Sequence, residues 1–377
     1  MAAATIEPYR VLFVLPRWVT GGLERVTLNL IEGLCARGVD CCLVVGAGDE
    51  AMLAQARSIT AVHVVGGGAW RLLRGVTKVV GDYQPTHVIS AFADVSLIAW
   101  LAIKLQGRRA ALIIGIHGTQ GAVAASKGWR GRAKFALDRC VARWLYPRAA
   151  RVIAVSQGVA DDLRRHYRIA PARLRAIYSP ILTAADWQQL ATSPPPSSIP
   201  GHTRTLVAVG RLAPEKGFDI LLRALPAVAA RFNVQLKLYG EGAERARLAG
   251  LIESLGLQAN VRLMGQTAAP LRVMSQAELL VFPSRHEGFG VALVEALACA
   301  RQIVASDCTH GPAEILAQGR YGQLVPPENV DALAQAIIAA LEGRIHFAPE
   351  LLRQRAQAFS AEAAYAHYLD VLRETAR

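Results

Sequence analysis

Short apolar runs rich in β-branched residues recur through the first half of the chain, at residues 9–16 (YRVLFVLP), 39–45 (VDCCLVV), 86–92 (THVISAF), 110–116 (AALIIGI) and 151–156 (RVIAVS). Longer segments with helix-like periodicity separate them, and that alternation predicts a parallel sheet wound with helices. The pattern stops at residues 192–203 (TSPPPSSIPGHT), where Pro and Ser cluster as they do in linkers. It resumes at 205–210 (TLVAVG), 234–240 (VQLKLYG), 260–265 (NVRLMG), 279–284 (LLVFPS) and 302–307 (QIVASD). The expected fold is α/β, with two doubly wound Rossmann-like units. They span residues 1–190 and 204–358 with a linker at 191–203, and a final helix within 359–377 is expected to pack back on the first unit. A ligand would then lie between the units, outside the carboxyl ends of the strands. The length of 377 residues, 53% apolar, suits two such cores better than one.

Charge sharpens the picture because it is unevenly placed. The net charge is +13, with 24 Lys and Arg against 11 Asp and Glu in residues 1–185, but 18 against 18 in residues 186–377. Between Lys104 and Arg151 there are 11 basic residues and one acid, Asp138. Such a patch attracts an anionic partner: a membrane surface, a diphosphate-bearing acceptor or nucleic acid. No helix-turn-helix, zinc-finger or ribonucleoprotein motif accompanies it, so nucleic acid is not expected as a partner. Within residues 127–151, Trp129, Phe135, Trp144 and Tyr146 stand among the cations. That composition suits a helix lying in a lipid headgroup interface; the competing reading puts the aromatics in the core and leaves the arginines solvated.

Cysteine usage and apolar run length bound the compartment. Cys35, Cys41, Cys42, Cys140, Cys299 and Cys308 show neither C-x-x-C pairing nor metal-ligand spacing with histidine, so a reducing, cytoplasmic setting is expected. No stretch approaches the roughly 18–20 apolar residues that span a bilayer, and the run at 11–16 is too brief for a secretion signal, so neither export nor a membrane span is expected.

Two segments carry the chemistry. Residues 284–298 (SRHEGFGVALVEALA) follow a strand and open a helix. There Gly288 and Gly290 let backbone approach a ligand, and the N–H groups of the helix start favour a diphosphate. Glu287 in the loop and Glu295 inside the helix have seven residues between them, and an ionised carboxylate can accept from sugar or ribose hydroxyls. Taken alone, Glu295 is as readily a structural glutamate. Residues 210–225 (GRLAPEKGFDILLRAL) repeat the strand, glycine loop and helix, and place Arg211 and Lys216 at a strand's carboxyl end, where two cations neutralise a departing diphosphate.

The order G-R-L-x-x-E-K-G and then, about 70 residues on, E-G-F-G-x-x-L-V-E-A resembles glycosyltransferase family 4. Residues 19–34 (VTGGLERVTLNLIEGL), 239–265 and 311–326 also resemble segments of that family, so the likeness runs along nearly the whole chain. It implies the GT-B architecture, a nucleotide diphosphate sugar donor and retention at the anomeric carbon. It further implies Glu287 beside the donor sugar, Glu295 on the ribose, and Arg211 and Lys216 on the phosphates. Gly21, Gly22, Gly240, Gly288, Phe289 and Gly290 are implied around the donor, and His117 at a strand end near the reacting sugar and acceptor. Glu287, His117, Lys216 and Arg211 are the expected catalytic set.

No D-x-D triplet occurs in the chain, so neither a metal nor a cofactor is expected to bridge the diphosphate. The resemblance and the basic patch together imply a peripheral enzyme on the inner face of the cytoplasmic membrane. Such an enzyme moves a hexose or N-acetylhexosamine from a UDP-sugar to a polyprenyl-diphosphate-linked or lipopolysaccharide glycan. A sugar-nucleotide epimerase of the same fold, a transferase with a soluble acceptor and a sugar-nucleotide binder without turnover are the alternatives.

Overall fold

The computed structural model describes residues 9–19, 21–118, 129–191 and 203–376, with the side chains of 129–133 outside that description. The Pro- and Ser-rich stretch at 192–202 and the start of the basic segment, residues 119–128, therefore lie outside the described residues. The chain forms two compact units, residues 1–180 with 361–377, and residues 181–360. The break falls after Pro180 rather than near residue 190, so the helix Ala184–Ala191 groups with the second unit.

The first unit holds seven strands: β1 (Arg10–Leu15), β2 (Asp40–Val45), β3 (Ala61–Val64), β4 (His87–Ala91), β5 (Ala111–Ile116), β6 (Arg151–Ala154) and β7 (Leu174–Ala176). Their order is β3-β2-β1-β4-β5-β6-β7 and every pair is parallel. Strand order reverses between β1 and β4, where the crevice of a doubly wound sheet opens. The inner strands are buried because helices cover both faces, which is why they read as unbroken apolar runs.

The helix Ala361–Thr375 belongs to this unit. Ala361, Ala364, Tyr365, Tyr368, Val371 and Leu372 recur every three or four residues and enter one core with Ile31 and Leu34 of the helix Gly22–Cys35. The fit is close: a Cβ on Gly33 would lie 2.1 Å from the Tyr365 ring. Arg151 also ties the strand sheet to the helix, through Glu374 at 2.6 Å.

The second unit has six parallel strands: β8 (Arg204–Val209), β9 (Val234–Tyr239), β10 (Val261–Gly265), β11 (Leu279–Phe282), β12 (Gln302–Ser306) and β13 (Gln323–Val325). Their order is β10-β9-β8-β11-β12-β13, so the switch point lies between β8 and β11. Leu221, Leu222, Leu225 and Val228 of the helix Phe218–Ala229 are fully buried against this sheet. Each such side chain contributes about 1.5–3 kcal/mol by leaving water. Packing of that helix and of Val330–Leu341 fixes the loop after β8 against the loop after β11.

Candidate functional site

The second unit brings its two motifs together at the switch point. After β8 the chain makes one tight turn, Pro214–Lys216, and Gly217 follows at φ +64°. A Cβ there would lie 2.0 Å from the Pro283 carbonyl oxygen, so only glycine lets this turn sit against the end of β11. Lys216 thereby reaches Glu287: Nζ lies 2.6 Å from Oε1, and Ser284 Oγ donates to the same oxygen at 2.7 Å. The pair is largely withdrawn from water, with side-chain exposures of 22% for Lys216 and 9% for Glu287. Burial first, and then the Glu287 charge, pushes the neighbouring Cys308 thiol up to about 12.

Arg285 and Asp219, which sequence reasoning passed over, brace this pair. Arg285 donates to the Pro214 carbonyl at 2.6 Å and to both carboxylate oxygens of Asp219 at 2.9 and 3.0 Å, and its Nε meets Glu328 at 2.8 Å. The Arg285 backbone N–H also donates to the Glu215 carbonyl at 2.8 Å. Burial opposes ionisation of Asp219, yet the hydrogen bonds and charge of Arg285, helped by Arg223 and Arg247, hold its carboxyl below the ordinary value. The hydrogen bonds to Asp219 in turn raise Arg285. One guanidinium thus clamps the Lys216 turn to the Glu287 loop, and its signal in the sequence is no more than an arginine beside His286.

The other expected donor residues are placed differently. Arg211 is 70% exposed and ion-paired to Glu215, so it does not share the Lys216 contact. Gly240, at φ +148°, lies against the Gly210 carbonyl, where a Cβ would come within 1.8 Å. Gly288, Phe289 and Gly290 are buried, and the Phe289 ring lies edge-on to Phe359 at 5.6 Å. That ring belongs to the core, so the segment offers a ligand its backbone. Gly290 caps the helix Val291–Ala298, whose start can receive an anion. Residues 292–298 are buried throughout, and Glu295 is 2% exposed.

In the first unit Gly21 is the N-cap of the helix Gly22–Cys35, with Glu24 folded back over it at the capping-box position. His117 follows β5 and lines a small cavity of about 30 Å³ with Thr27, Ser90, Gly115, Ser179 and Pro180. Burial lowers its pKa to about 4, so the imidazole is neutral at pH 7.

The aromatic residues of the basic segment divide between core and surface. Tyr146 is fully buried, as the core reading requires, whereas Trp144 is 41% exposed in the helix Trp129–Leu145. Trp144 meets Trp100 edge-on at 5.0 Å, with Arg148 4.8 Å over one ring and Lys104 5.8 Å over the other. The side chain of Trp129 lies outside the described residues. Among the described residues no helix is long and apolar enough to cross a membrane. No group of three or more His, Cys, Asp or Glu among them is placed to hold a metal ion.

Comparison with known proteins bears on the family and the fold. The family model for Glycosyltransferase Family 4 matches residues 20–184, and that for Glycosyl transferases group 1 matches residues 191–360. Neither describes an epimerase. A Campylobacter jejuni N-acetylgalactosaminyltransferase, named for a diphospho-undecaprenol acceptor, is 31% identical over 200 residues, 52% of this chain and 52% of that protein. A Mycobacterium leprae phosphatidyl-myo-inositol mannosyltransferase is 33% identical over 209 residues, 54% of this chain and 52% of that one. The chain thus spans about half the length of the curated relatives it matches. Among solved structures, a Rickettsia africae glycosyltransferase superposes with a TM-score of 0.79 at 19% identity, covering 98% of this chain and 99% of that one. Anabaena Alr3699/HepE, in complex with UDP and glucose, gives 0.78 at 21% identity, with coverage of 97% and 99%. At these identities the structures speak for the fold.

Proposed function

From a chain that belongs to the family 4 and group 1 glycosyltransferases, we propose a retaining, metal-independent enzyme that moves a hexose or N-acetylhexosamine from a UDP-sugar to a lipid-linked glycan. The observation that carries this is the Lys216–Glu287 contact at the β8 and β11 carboxyl ends. Glycosyl transfer separates a diphosphate from an anomeric carbon, so the site must stabilise growing negative charge on the leaving oxygens. Lys216 supplies a cation there, with Arg211 and the helix start at Gly290 as further support. Glu287 is acceptor-only when ionised and receives hydroxyls of the donor sugar. Neutral His117 takes a hydroxyl of the reacting sugar or acceptor. Glu295 would meet the ribose, although its side chain is 2% exposed.

In the proposed step the bond from the anomeric carbon to the β-phosphate oxygen breaks with its electron pair on phosphate. The acceptor oxygen bonds to the same face, and its proton passes to the departing phosphate. No protein nucleophile is required. The named acceptor of the Campylobacter relative and the anionic lipid of the mycobacterial one support a lipid-borne acceptor. The UDP complex of the Anabaena neighbour favours uridine. Turnover of UDP-sugars with and without an undecaprenyl-diphosphate-linked glycan, in EDTA, tests the proposal; activity that needs a divalent ion, or that runs only on soluble acceptors, counts against it.

The Trp100–Trp144 pair flanked by Lys104 and Arg148 supports a membrane role for the first unit. Amphipathic rings and neighbouring cations suit an anionic headgroup layer. The enzyme would then work peripherally on the inner face of the cytoplasmic membrane.

A further inference from the structure

The end of β4 holds a residue in a backbone state that its side chain opposes. Phe92 adopts φ +70° and ψ +145°. Other non-glycine residues have positive φ, but Gln84 and Arg168 are helix C-caps in the ordinary left-handed region. With ψ near +145°, Phe92 lies outside that region, in territory almost reserved for glycine.

Hydrogen bonds at the start of the following helix hold the Phe92 carbonyl in place. The Phe92 carbonyl accepts from the Ser96 backbone N–H at 3.0 Å and from Ser96 Oγ at 2.6 Å. Ser90 Oγ donates to Ser96 Oγ at 2.9 Å, and both serines are buried. Strain of this kind is sometimes the consequence of burying a large ring. Here it is not, because Phe92 remains 47% exposed. The place is also particular. Ala91 and Gly115 are register partners on β4 and β5, and His117 lies two residues beyond Gly115. Ser90, Ala91, Gly115 and His117 line one cavity, and Phe92 is the next residue along the chain from that wall. The nearby Asp94 carboxylate is engaged by Lys134 at 3.0 Å, whereas the Phe92 ring carries no polar group and is half exposed.

We propose that Phe92 is an acceptor-binding residue, whose ring is held out by a strained peptide to stack on the apolar face of the acceptor's pyranose. This rests on the proposed transferase function. An aromatic face meeting the C–H face of a sugar needs rigid placement more than it needs a hydrogen bond, and the Ser90–Ser96 relay supplies that placement.

The test compares Phe92→Ala, Phe92→Gly and Phe92→Tyr in the full chain. The acceptors are undecaprenyl-diphosphate-linked N-acetylglucosamine or N-acetylgalactosamine in detergent. UDP-sugar hydrolysis without acceptor is measured alongside as the readout of donor binding. Both truncations should raise the acceptor KM about tenfold, as loss of one aromatic contact does, and leave donor hydrolysis within twofold. Phe92→Tyr should behave as wild type. Thermal melting adds a second reading: Phe92→Gly should melt above Phe92→Ala, because glycine alone is at ease at this φ and ψ. An unchanged acceptor KM in both truncations, or a parallel fall in donor hydrolysis, overturns the assignment. A wild-type chain that hydrolyses donor yet transfers to neither acceptor contradicts the proposed function itself, and does so before any variant is compared.

Discussion

Lys216 Nζ and Glu287 Oε1 stand 2.6 Å apart although 71 residues of chain separate them. The contact joins the loops after β8 and β11, and it is partly shielded from water. Removing either partner therefore does two things at once: it deletes a proposed donor contact and leaves the other charge buried without its counter-ion.

Conservative replacements separate those effects. Glu287→Gln and Lys216→Met should lower kcat by about 100-fold or more, in the range seen when one charge-stabilising group is lost. Far-ultraviolet circular dichroism should stay unchanged. Glu287→Ala and Lys216→Ala should in addition lower the melting temperature, since each leaves a partly buried charge without its partner. The double variant should lose much less than the product of the single losses, because the two groups act together. Kinetics and melting of the four variants check this.

Arg285 should prove structural and positioning at once. Arg285→Ala leaves Asp219, whose side chain is 8% exposed, with weaker partners and frees the Pro214 turn. A fall in stability of about 3 kcal/mol is expected, with a rise in donor KM as Lys216 loses its brace. Arg285→Lys should rescue little, because an ammonium cannot reproduce the two-pronged contact. Urea melts and donor saturation curves read both effects.

Acid should weaken the first unit through its buried histidines. Burial lowers His87 and His117 each to about 4, below the unfolded value near 6.5. The unfolded chain then binds more protons between those limits. The stability they contribute is complete above about pH 6.5 and is lost as pH falls toward 4. His87, fully buried beside Tyr9 and bonded to Thr86 Oγ1 at 2.8 Å, should dominate. Replacing it by Gln should flatten the fall of the urea midpoint between pH 6.5 and 4.5. Asp219 acts in the same direction at lower pH, because its folded pKa is depressed.

Vesicle sedimentation tests the surface reading. Wild-type protein should bind vesicles containing phosphatidylglycerol and not those of phosphatidylcholine alone, with binding reduced by added salt. Lys104→Glu with Arg148→Glu should abolish most of it, and Trp144→Ala should weaken it, while donor hydrolysis is unchanged. Equal binding to both vesicle types would remove the electrostatic part of the proposal.

Much of the fold was legible because a doubly wound sheet writes its inner strands as plain apolar runs. The strands passed over, β3, β7 and β13, are all at sheet edges and only three or four residues long. β3 is mostly exposed, and its four residues, AVHV, are too few to stand out as an apolar run. The Lys216 and Glu287 motifs were legible because glycine loops at strand ends mark them. Arg285 and Asp219 were not, since their meaning appears only once packing sets two distant loops side by side. Phe92 was hidden for another reason: backbone strain has no sequence signature when the residue is not glycine. Glu295 and Phe289 read as ligand groups in the sequence, yet their side chains are 2% and 4% exposed.

The central claim is transfer with retention at a site built on Lys216 and Glu287, and product configuration tests it most directly. Proton NMR of the glycoside formed from an α-configured UDP-sugar on an undecaprenyl-diphosphate-linked glycan, with EDTA present, should show an α linkage. That product should be absent with Glu287→Gln and Lys216→Met. A β linkage, or an α linkage formed at wild-type rate by those two variants, would contradict the account.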